Sequence, residues 1–291
     1  MRGIFFDPYI MKKNLIVILG PTASGKTAMA ARLAAEFGGE IISADSRQVY
    51  RGMDIGTGKD LEEFRIDGRV IPCHLIDILD PDQEFNVFEF QKRFYEIFSA
   101  LRKKNVLPLL VGGTGLYLES VLTRYFMPEA EPDERIREEL AGLTMGELQE
   151  MLLAMKPQLH NQTDLHDRER LVRKIEIEKA RQNPSKSQTR FPQIQAGIFG
   201  IFWERAELRK RISARLHIRL AEGMIEEVSR LHDEGVSWER LESFGLEYRF
   251  IARYLQKTMT RDEMAAGLQT AIGQFAKRQM TWFRRMEKKG V

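Results

Sequence analysis

Cysteine is almost missing from this chain: Cys73 stands alone among 291 residues. No intrachain disulfide can form, and a reducing compartment is expected. Long apolar runs are missing too, since nothing approaches the ~20 residues that a membrane span needs. Nor does charge of one sign prevail: 45 Lys and Arg against 42 Asp and Glu leave a formal net charge of +3. A polyanionic partner therefore has to be sought in local clusters and not in the chain as a whole. There is no repeat with a period of roughly 20–50 residues and no low-complexity tract. The opening MRGIFFDPYI has neither a long apolar region nor a cleavage site. No signal peptide is expected, and Met11, directly before the first apolar run, is a candidate start. These absences point to a cytoplasmic protein with no membrane association. A composition 43% hydrophobic and 30% charged excludes disorder as the main state. The length allows a large core plus one insertion.

What is present is organised around LIVILGPTASGKT, residues 15–27. The apolar run from Leu15 to Leu19 predicts a short buried strand, and a helix is expected over 28–37, stopped by Gly38 and Gly39. Between them Gly20, Pro21, Thr22, Ala23, Ser24, Gly25, Lys26 and Thr27 complete G-x-x-x-x-G-K-[ST] in its required strand–loop–helix context. The glycines let backbone N–H groups turn around phosphate oxygens, with the positive end of the helix dipole behind them. Lys26 adds a point charge, and the Thr27 hydroxyl suits a Mg²⁺ held by the phosphates. The motif identifies a di- or polyphosphate site and leaves the phosphate's owner open.

A second strand is expected over residues 40–44, running into Asp45, Ser46, Arg47 and Gln48. In open α/β sheets the ligand crevice lies beyond the carboxyl ends of the strands, so Asp45 shares a rim with the phosphate loop. It could coordinate metal, act as a base, or cap a turn. Residues 50–60, YRGMDIGTGKD, read as a Gly-rich loop near the site. Residues 70–78 read as another strand, in which His74 is a satisfied, partly buried histidine because no second ligand stands at metal spacing. Residues 86–104 form an amphipathic helix with an aromatic core face. Residues 106–111 are a buried strand ending in Gly112-Gly113-Thr114-Gly115, before a helix over 116–123. That junction reads as a second place where backbone can approach a ligand, with Thr114 its polar contact.

From 126 to 192 the pattern turns polar and helical, opened by Pro128 and Pro132 and closed by Asn183-Pro184-Ser185 and Phe191-Pro192. Its arginines have acidic neighbours, which fits a solvated face with i,i+4 pairs as well as it fits a binding surface. A buried strand over 195–203 returns the chain to the core. A helix over 206–221 follows, dense in arginine, and at least one of these can face the phosphates. The last helix, 261–287, places Met264, Leu268, Ile272, Phe275, Trp282 and Met286 on one stripe. Lys277, Arg278, Arg284, Arg285 and Lys288 fall opposite, an almost purely basic face suited to a phosphodiester backbone. The expected fold is therefore α/β, a P-loop NTPase-like three-layer core with a parallel sheet over 11–125 and 193–291, plus an inserted all-helical domain over 126–192.

With these pieces in place the sequence resembles the tRNA dimethylallyltransferases, also called tRNA isopentenyltransferases. The matching stretches are GPTASGKT at 20–27, SADSRQVYRGMDIGTGK at 43–59, HLIDI at 74–78, VGGTGLY at 111–117, RERLVRKIEI at 168–177 and KRQMTWFR at 277–284. They follow the family's order over nearly the whole chain. The resemblance implies transfer of a dimethylallyl group from dimethylallyl diphosphate to the exocyclic amine of the adenosine 3′ of the anticodon in tRNA. It implies Mg²⁺ assistance, Asp45 as general base, Lys26 and Arg215 on the diphosphate, and Thr27 on the metal. It also matches Ser46, Arg47, Gln48, Thr114, Arg137, Arg170 and Arg173 to places where the family meets tRNA. Lys277, Arg278 and Arg285 of the basic face are expected to grip the anticodon stem. The family's usual G-Y-[KR]-[EQ] run is replaced here by Phe244-Gly245-Leu246-Glu247-Tyr248-Arg249, Gly58 stands where Ala is commoner, and matches around residues 161–166 are weak. No appended zinc finger of the eukaryotic type is seen, so a bacterial-type enzyme is expected; a monomer is expected as well. Two other readings share the phosphate loop: an adenylate isopentenyltransferase acting on free nucleotide, and a P-loop small-molecule kinase consuming ATP.

Overall fold

The computed structural model describes residues 12–123, 133–155, 165–182 and 191–291. The chain divides into two compact units, Met1–Tyr125 with Pro192–Val291, and Phe126–Phe191. The expectations for residues 1–11, for Pro128 and Pro132, for 161–164 and for 183–185 lie outside the described residues.

In the larger unit the strands β1 (Leu15–Leu19), β2 (Glu40–Ala44), β5 (Cys73–His74), β6 (Pro108–Gly112) and β7 (Ala196–Gly200) form the main sheet. Its order is β5-β2-β6-β1-β7, and every pairing is parallel. A small antiparallel pair, β3 (Arg65–Ile66) and β4 (Arg69–Val70), stands apart from it. Strand alternation divides the apolar residues between two faces. Ile16, Ile18, Ile41, Leu109 and Val111 meet Ala30, Ala31 and Ala34 of α1 (Lys26–Phe37). Val17, Ile42 and Leu110, all buried, point the other way, toward α2 (Val87–Lys103) and α3 (Gly115–Leu122). The small alanines let α1 lie close to the sheet. This is the three-layer P-loop NTPase-like α/β arrangement. The order also brings the carboxyl ends of β1, β6 and β2 side by side, and those ends carry the phosphate loop, the 112–115 glycines and Asp45.

After β7 the chain is helical: α7 (Arg205–Ala221), α8 (Met224–Asp233), α9 (Trp238–Ser243), α10 (Leu246–Leu255) and α11 (Arg261–Lys288). Their core includes Leu216, Val228, Tyr248, Leu268 and Ile272, and it takes in Val49, Tyr50 and Met53 from the Gly-rich loop. A capping box between Thr260 and Glu263 starts α11. In the smaller unit α4 (Glu134–Ala141), α5 (Met145–Met155) and α6 (Arg168–Gln182) pack around Leu140, Leu148, Leu152, Leu171 and Ile175. No strand occurs among its described residues, and none of the described helices is long and apolar enough to cross a membrane.

Two strands differ from the sequence reading. The strand expected over 70–78 is divided between the end of β4 at Val70 and Cys73–His74, and it stops there because Leu75 and Asp77 adopt φ of 63° and 53°, values outside the extended region. The strand expected over 195–203 is Ala196–Gly200, and it is not buried on both faces. It forms the sheet edge, with Ile198 and Phe199 each 38% exposed. Apolar composition cannot distinguish a central strand from an edge.

Candidate active site

The phosphate loop turns because Ala23 and Gly25 take φ of 60° and 82°, the left-handed conformation that a side chain strains and glycine accepts. Gly25 is also the N-cap of α1, which has no side-chain cap and no acidic residue in its first turn. The helix N-terminus therefore keeps its polarity toward the cavity, which Glu63 also lines. The loop carbonyls, which would repel an anion, are tied back. Trp203 Nε1 donates to Ser24 O at 3.0 Å and Arg211 Nε donates to Ala23 O at 2.9 Å, with the Arg211 guanidinium 4.4 Å above the Trp203 ring. Ser24 Oγ is buried without a protein partner. Thr22 is held twice: its N–H donates to Gln279 Oε1 at 2.9 Å, and its hydroxyl accepts from Arg215 Nη2.

Residues 22–27, Arg211, Arg215 and Gln279 line one cavity of about 500 Å³, together with Asp45, Ser46, Arg47, Gln48, Thr114, Arg219 and Glu247. Burial pulls the Lys26 ammonium down to about 8; Asp45 opposes the fall and Arg215 adds to it. Burial, followed by the neighbouring Arg219, brings Arg215 down to about 10. Burial lowers Arg47 as well. Two carboxyls respond in the opposite sense: burial raises Glu63 and Glu247 although Arg215 lies near both. Cations are held here in a poorly solvated space, an arrangement that a polyphosphate would relieve.

The opposite wall descends from β2. Asp45 Oδ1 accepts from Arg47 N at 2.9 Å, so Asp45 both caps its own turn and lines the cavity. Ser46 N donates to Thr114 Oγ1 at 3.3 Å. Ser43 Oγ contacts Gln48 Oε1 at 3.0 Å, while Gln48 Nε2 donates to Gly58 O at 2.9 Å. The Gly-rich loop is anchored from beneath by the buried Glu227 carboxylate, which accepts from the amides of Asp54, Ile55 and Gly56 at 2.8, 2.7 and 3.0 Å and from Tyr248 OH at 2.7 Å. Lys59 is buried as well, donating to Tyr50 O, Asp54 and Asp77. Gly58, at φ 69°, takes the left-handed conformation that strains a side chain, and the Arg219 guanidinium lies over it.

The structure thus brings Gly20 to Thr27, Asp45 to Gln48, Thr114 and Arg215 into one region of the larger unit. Several other sequence expectations change. The 112–115 glycines also admit protein: a Cβ on Gly112 would strike Ala44, one on Gly113 would strike Gln279, and one on Gly115 would strike Trp282, while Gly112 and Thr114 line the cavity. Arg285 leaves the basic face, pairing with Glu119 at 3.0 Å and lying 4.1 Å over the Trp282 ring. Lys277 and Arg278 stay exposed. Phe275 leaves the buried stripe at 39% exposure, and Ala276, Gln279 and Phe283 take its place. In the smaller unit Arg137 and Arg173 both pair with the buried Glu176, and Arg170 lies 3.5 Å from Asp167. His74 is satisfied by Glu40 at 2.6 Å.

The sequence reading gave no role to Gln279, Arg211, Arg219, Glu227 or Glu247. One signal for the α7 pair was available: Arg211, Arg215 and Arg219 recur every four residues and so share a helix face. Gln279 had a signal too, as a polar residue on the buried side of an amphipathic helix.

The family model described as IPP transferase matches residues 48–286, and the one described as Isopentenyl transferase matches 13–70. The tRNA dimethylallyltransferase 1 of Syntrophus aciditrophicus is 55% identical over 97% of this chain and 92% of its own length. The enzyme of the same name from Geotalea daltonii is 55% identical over 96% of this chain and 89% of its own. Among solved structures, the tRNA isopentenylpyrophosphate transferase of Bacillus halodurans superposes with a TM-score of 0.66 at 34% identity, covering 94% of this chain and 87% of that one. A eukaryotic dimethylallyltransferase acting on tRNA shares the fold, with a TM-score of 0.75 at 22% identity over 93% of this chain and 70% of its own.

Proposed function

The chain belongs to the IPP transferase family, and from that premise we propose that it is a tRNA dimethylallyltransferase whose phosphate loop is a leaving-group cradle. The dimethylallyl group passes from dimethylallyl diphosphate to the exocyclic amine of the adenosine 3′ of the anticodon. One observation carries the reading: Lys26 and Arg215 converge with the phosphate loop on a cavity whose other wall presents Asp45. The bond from the allylic carbon to the bridging oxygen breaks, its electron pair leaves on diphosphate, and the amine nitrogen bonds to that carbon. Lys26, Arg215, Ser24 Oγ and the loop amides take up the charge that develops on the diphosphate. Asp45 accepts the amine proton, which matters because an aromatic amine is a weak nucleophile until its proton is taken.

The donor set also fits Mg²⁺. Thr27 lines the cavity, and no cluster of three His, Cys, Asp or Glu suited to a metal occurs among the described residues. An ion would thus be shared between the Thr27 hydroxyl and diphosphate oxygens, the kind of site Mg²⁺ favours. When bound it supplies Lewis-acid neutralisation of the leaving group.

The anticodon loop must extrude its adenine to reach this cavity. We assign Ser46, Arg47, Gln48 and Thr114 to that base and its neighbours, and the exposed Lys277 and Arg278 to the RNA backbone. The helical unit 126–192, with Arg137, Arg170 and Arg173, is assigned to the same RNA. The enzyme works as a monomer in the cytoplasm, where its tRNA substrate resides. The test incubates the protein with dimethylallyl diphosphate, Mg²⁺ and undermodified tRNA, with AMP and ATP as rival substrates. Prenylated tRNA is expected. Prenylated AMP with unmodified tRNA, or ATP turnover without the allylic donor, overturns the reading.

A further inference from the structure

Gln279 lies on the inner side of α11 among Ile272, Ala276 and Phe283, and is 7% exposed. A polar group buried there is costly unless it is fully bonded. Both ends of its amide are bonded, and to different loops. Oε1 accepts from Thr22 N in the phosphate loop at 2.9 Å, and Nε2 donates to Gly113 O at 2.9 Å.

Each partner leads directly to a reacting group. On one side, the Thr22 hydroxyl accepts from Arg215. On the other, Gly113 adjoins Thr114, whose N–H donates to Ala44 O at 3.3 Å and whose hydroxyl accepts from Ser46 N at 3.3 Å. Ala44 and Ser46 are the residues flanking Asp45. One side-chain amide therefore closes a continuous path from the diphosphate arginine to the peptide that carries Asp45. Gly113 is glycine for the same reason, since a Cβ would collide with the Gln279 amide.

We infer that Gln279 is a positioning residue for the transfer step: it sets the register between the leaving-group cradle and the carboxylate that takes the amine proton. The inference rests on the prenyl-transfer reading above. Gln279 also lines the cavity, but its amide oxygen and nitrogen are both engaged by protein, so it acts through Thr22 and Gly113. Its role follows from what in-line transfer requires, which is an amine nitrogen near the allylic carbon at the moment the carbon–oxygen bond breaks. If the two walls drift apart, the donor can still ionise against the cradle, but water then captures the carbon. The products become dimethylallyl alcohol and diphosphate, with the water proton released to solvent.

The test uses Gln279→Met, which keeps the volume and removes both hydrogen bonds. Gln279→Glu keeps the acceptor for Thr22 N and removes the donor to Gly113 O. Diphosphate release and prenyl transfer to tRNA are measured in the same samples. For Gln279→Met, kcat for transfer is expected to fall about 10- to 100-fold, the scale of an ångström-sized misplacement, with both KM values within about threefold of wild type. The fraction of released diphosphate matched by prenylated tRNA should fall as well, with Gln279→Glu between Met and wild type. That fraction is a ratio per turnover, so loss of folded protein does not move it. An unchanged ratio, or a change confined to either KM, overturns the inference while the wild type still prenylates tRNA. Failure of the wild type to prenylate tRNA removes the functional reading itself.

Discussion

Arg211, Arg215 and Arg219 of α7 come from a segment dense in arginine, and Arg137, Arg170 and Arg173 of α4 and α6 from segments where acids are interspersed, and their surroundings differ accordingly. The first three line the cavity. Only Arg219 among them has a carboxylate partner in an ion pair, Asp60 at 3.1 Å, and Arg215 is depressed by burial and by Arg219. The second group is neutralised within its own unit. Glu176, 1% exposed, accepts from Arg137 Nε at 2.8 Å, Arg173 Nη1 at 3.0 Å and Asp133 N at 3.2 Å. Burial alone would raise Glu176, but those hydrogen bonds outweigh it and hold the carboxyl below its usual range. A buried arginine without a paired carboxylate, such as Arg215, suits a buried diphosphate, whereas the partly exposed Arg137, Arg170 and Arg173 can meet only a solvated RNA surface. Counting arginines does not reveal this; the partners do.

The largest effects are expected inside the cavity. Asp45→Ala should lower turnover about 10²- to 10⁴-fold while tRNA affinity stays near wild type; wild-type turnover would remove Asp45 as the base. Arg215→Ala should cut kcat/KM for the allylic diphosphate about 10²- to 10³-fold, whereas Arg173→Ala should leave that parameter within about threefold of wild type. Equal losses in the two variants would erase the distinction between the buried Arg215 and the partly exposed Arg173.

Smaller effects are expected elsewhere. Lys277→Gln with Arg278→Gln should reduce the slope of log affinity for tRNA against log salt by about one to two. Arg285→Gln, already paired with Glu119, should leave that slope alone and lower the thermal midpoint. A slope change confined to Arg285→Gln would reverse the assignment of the two faces of α11. Glu176→Gln should destabilise the protein at neutral pH by about 1–2 kcal/mol, a modest figure because both arginine partners are partly exposed. The sign of its pH dependence follows from the depressed folded-state carboxyl. Its stabilisation is complete above the unfolded carboxylate pKa of about 4.3 and is lost as pH falls through the lower folded value. The gap between wild type and Glu176→Gln in thermal unfolding should therefore narrow on acidification; a gap constant from neutral to acid pH would contradict it.

Local chemistry made much of this molecule legible before any coordinates. The apolar run Leu15–Leu19, the G-x-x-x-x-G-K-[ST] spacing and the alanine-rich helix after it specify their own conformation through contacts close in sequence. The segment from 126 to 192 reads as polar and helical in the sequence, and its described residues carry no strand. Asp45 was placed on the correct rim by a general rule of parallel sheets and not by anything in its immediate neighbours.

What the tertiary structure decided are the matters that depend on partners far away in the chain. The edge position of β7 is a property of sheet order, which apolar composition does not encode. The tight packing at Gly113 and Gly115 comes from α11, more than a hundred residues later. Glu227 anchors the amides of Asp54 to Gly56 from a distant helix, and Gln279 ties Thr22 to Gly113. Backbone conformation follows from short-range sterics and hydrogen bonding, which a sequence displays directly. Counter-ions and bridging amides are chosen by three-dimensional proximity, so which charges remain available for a substrate appears only once the chain has folded.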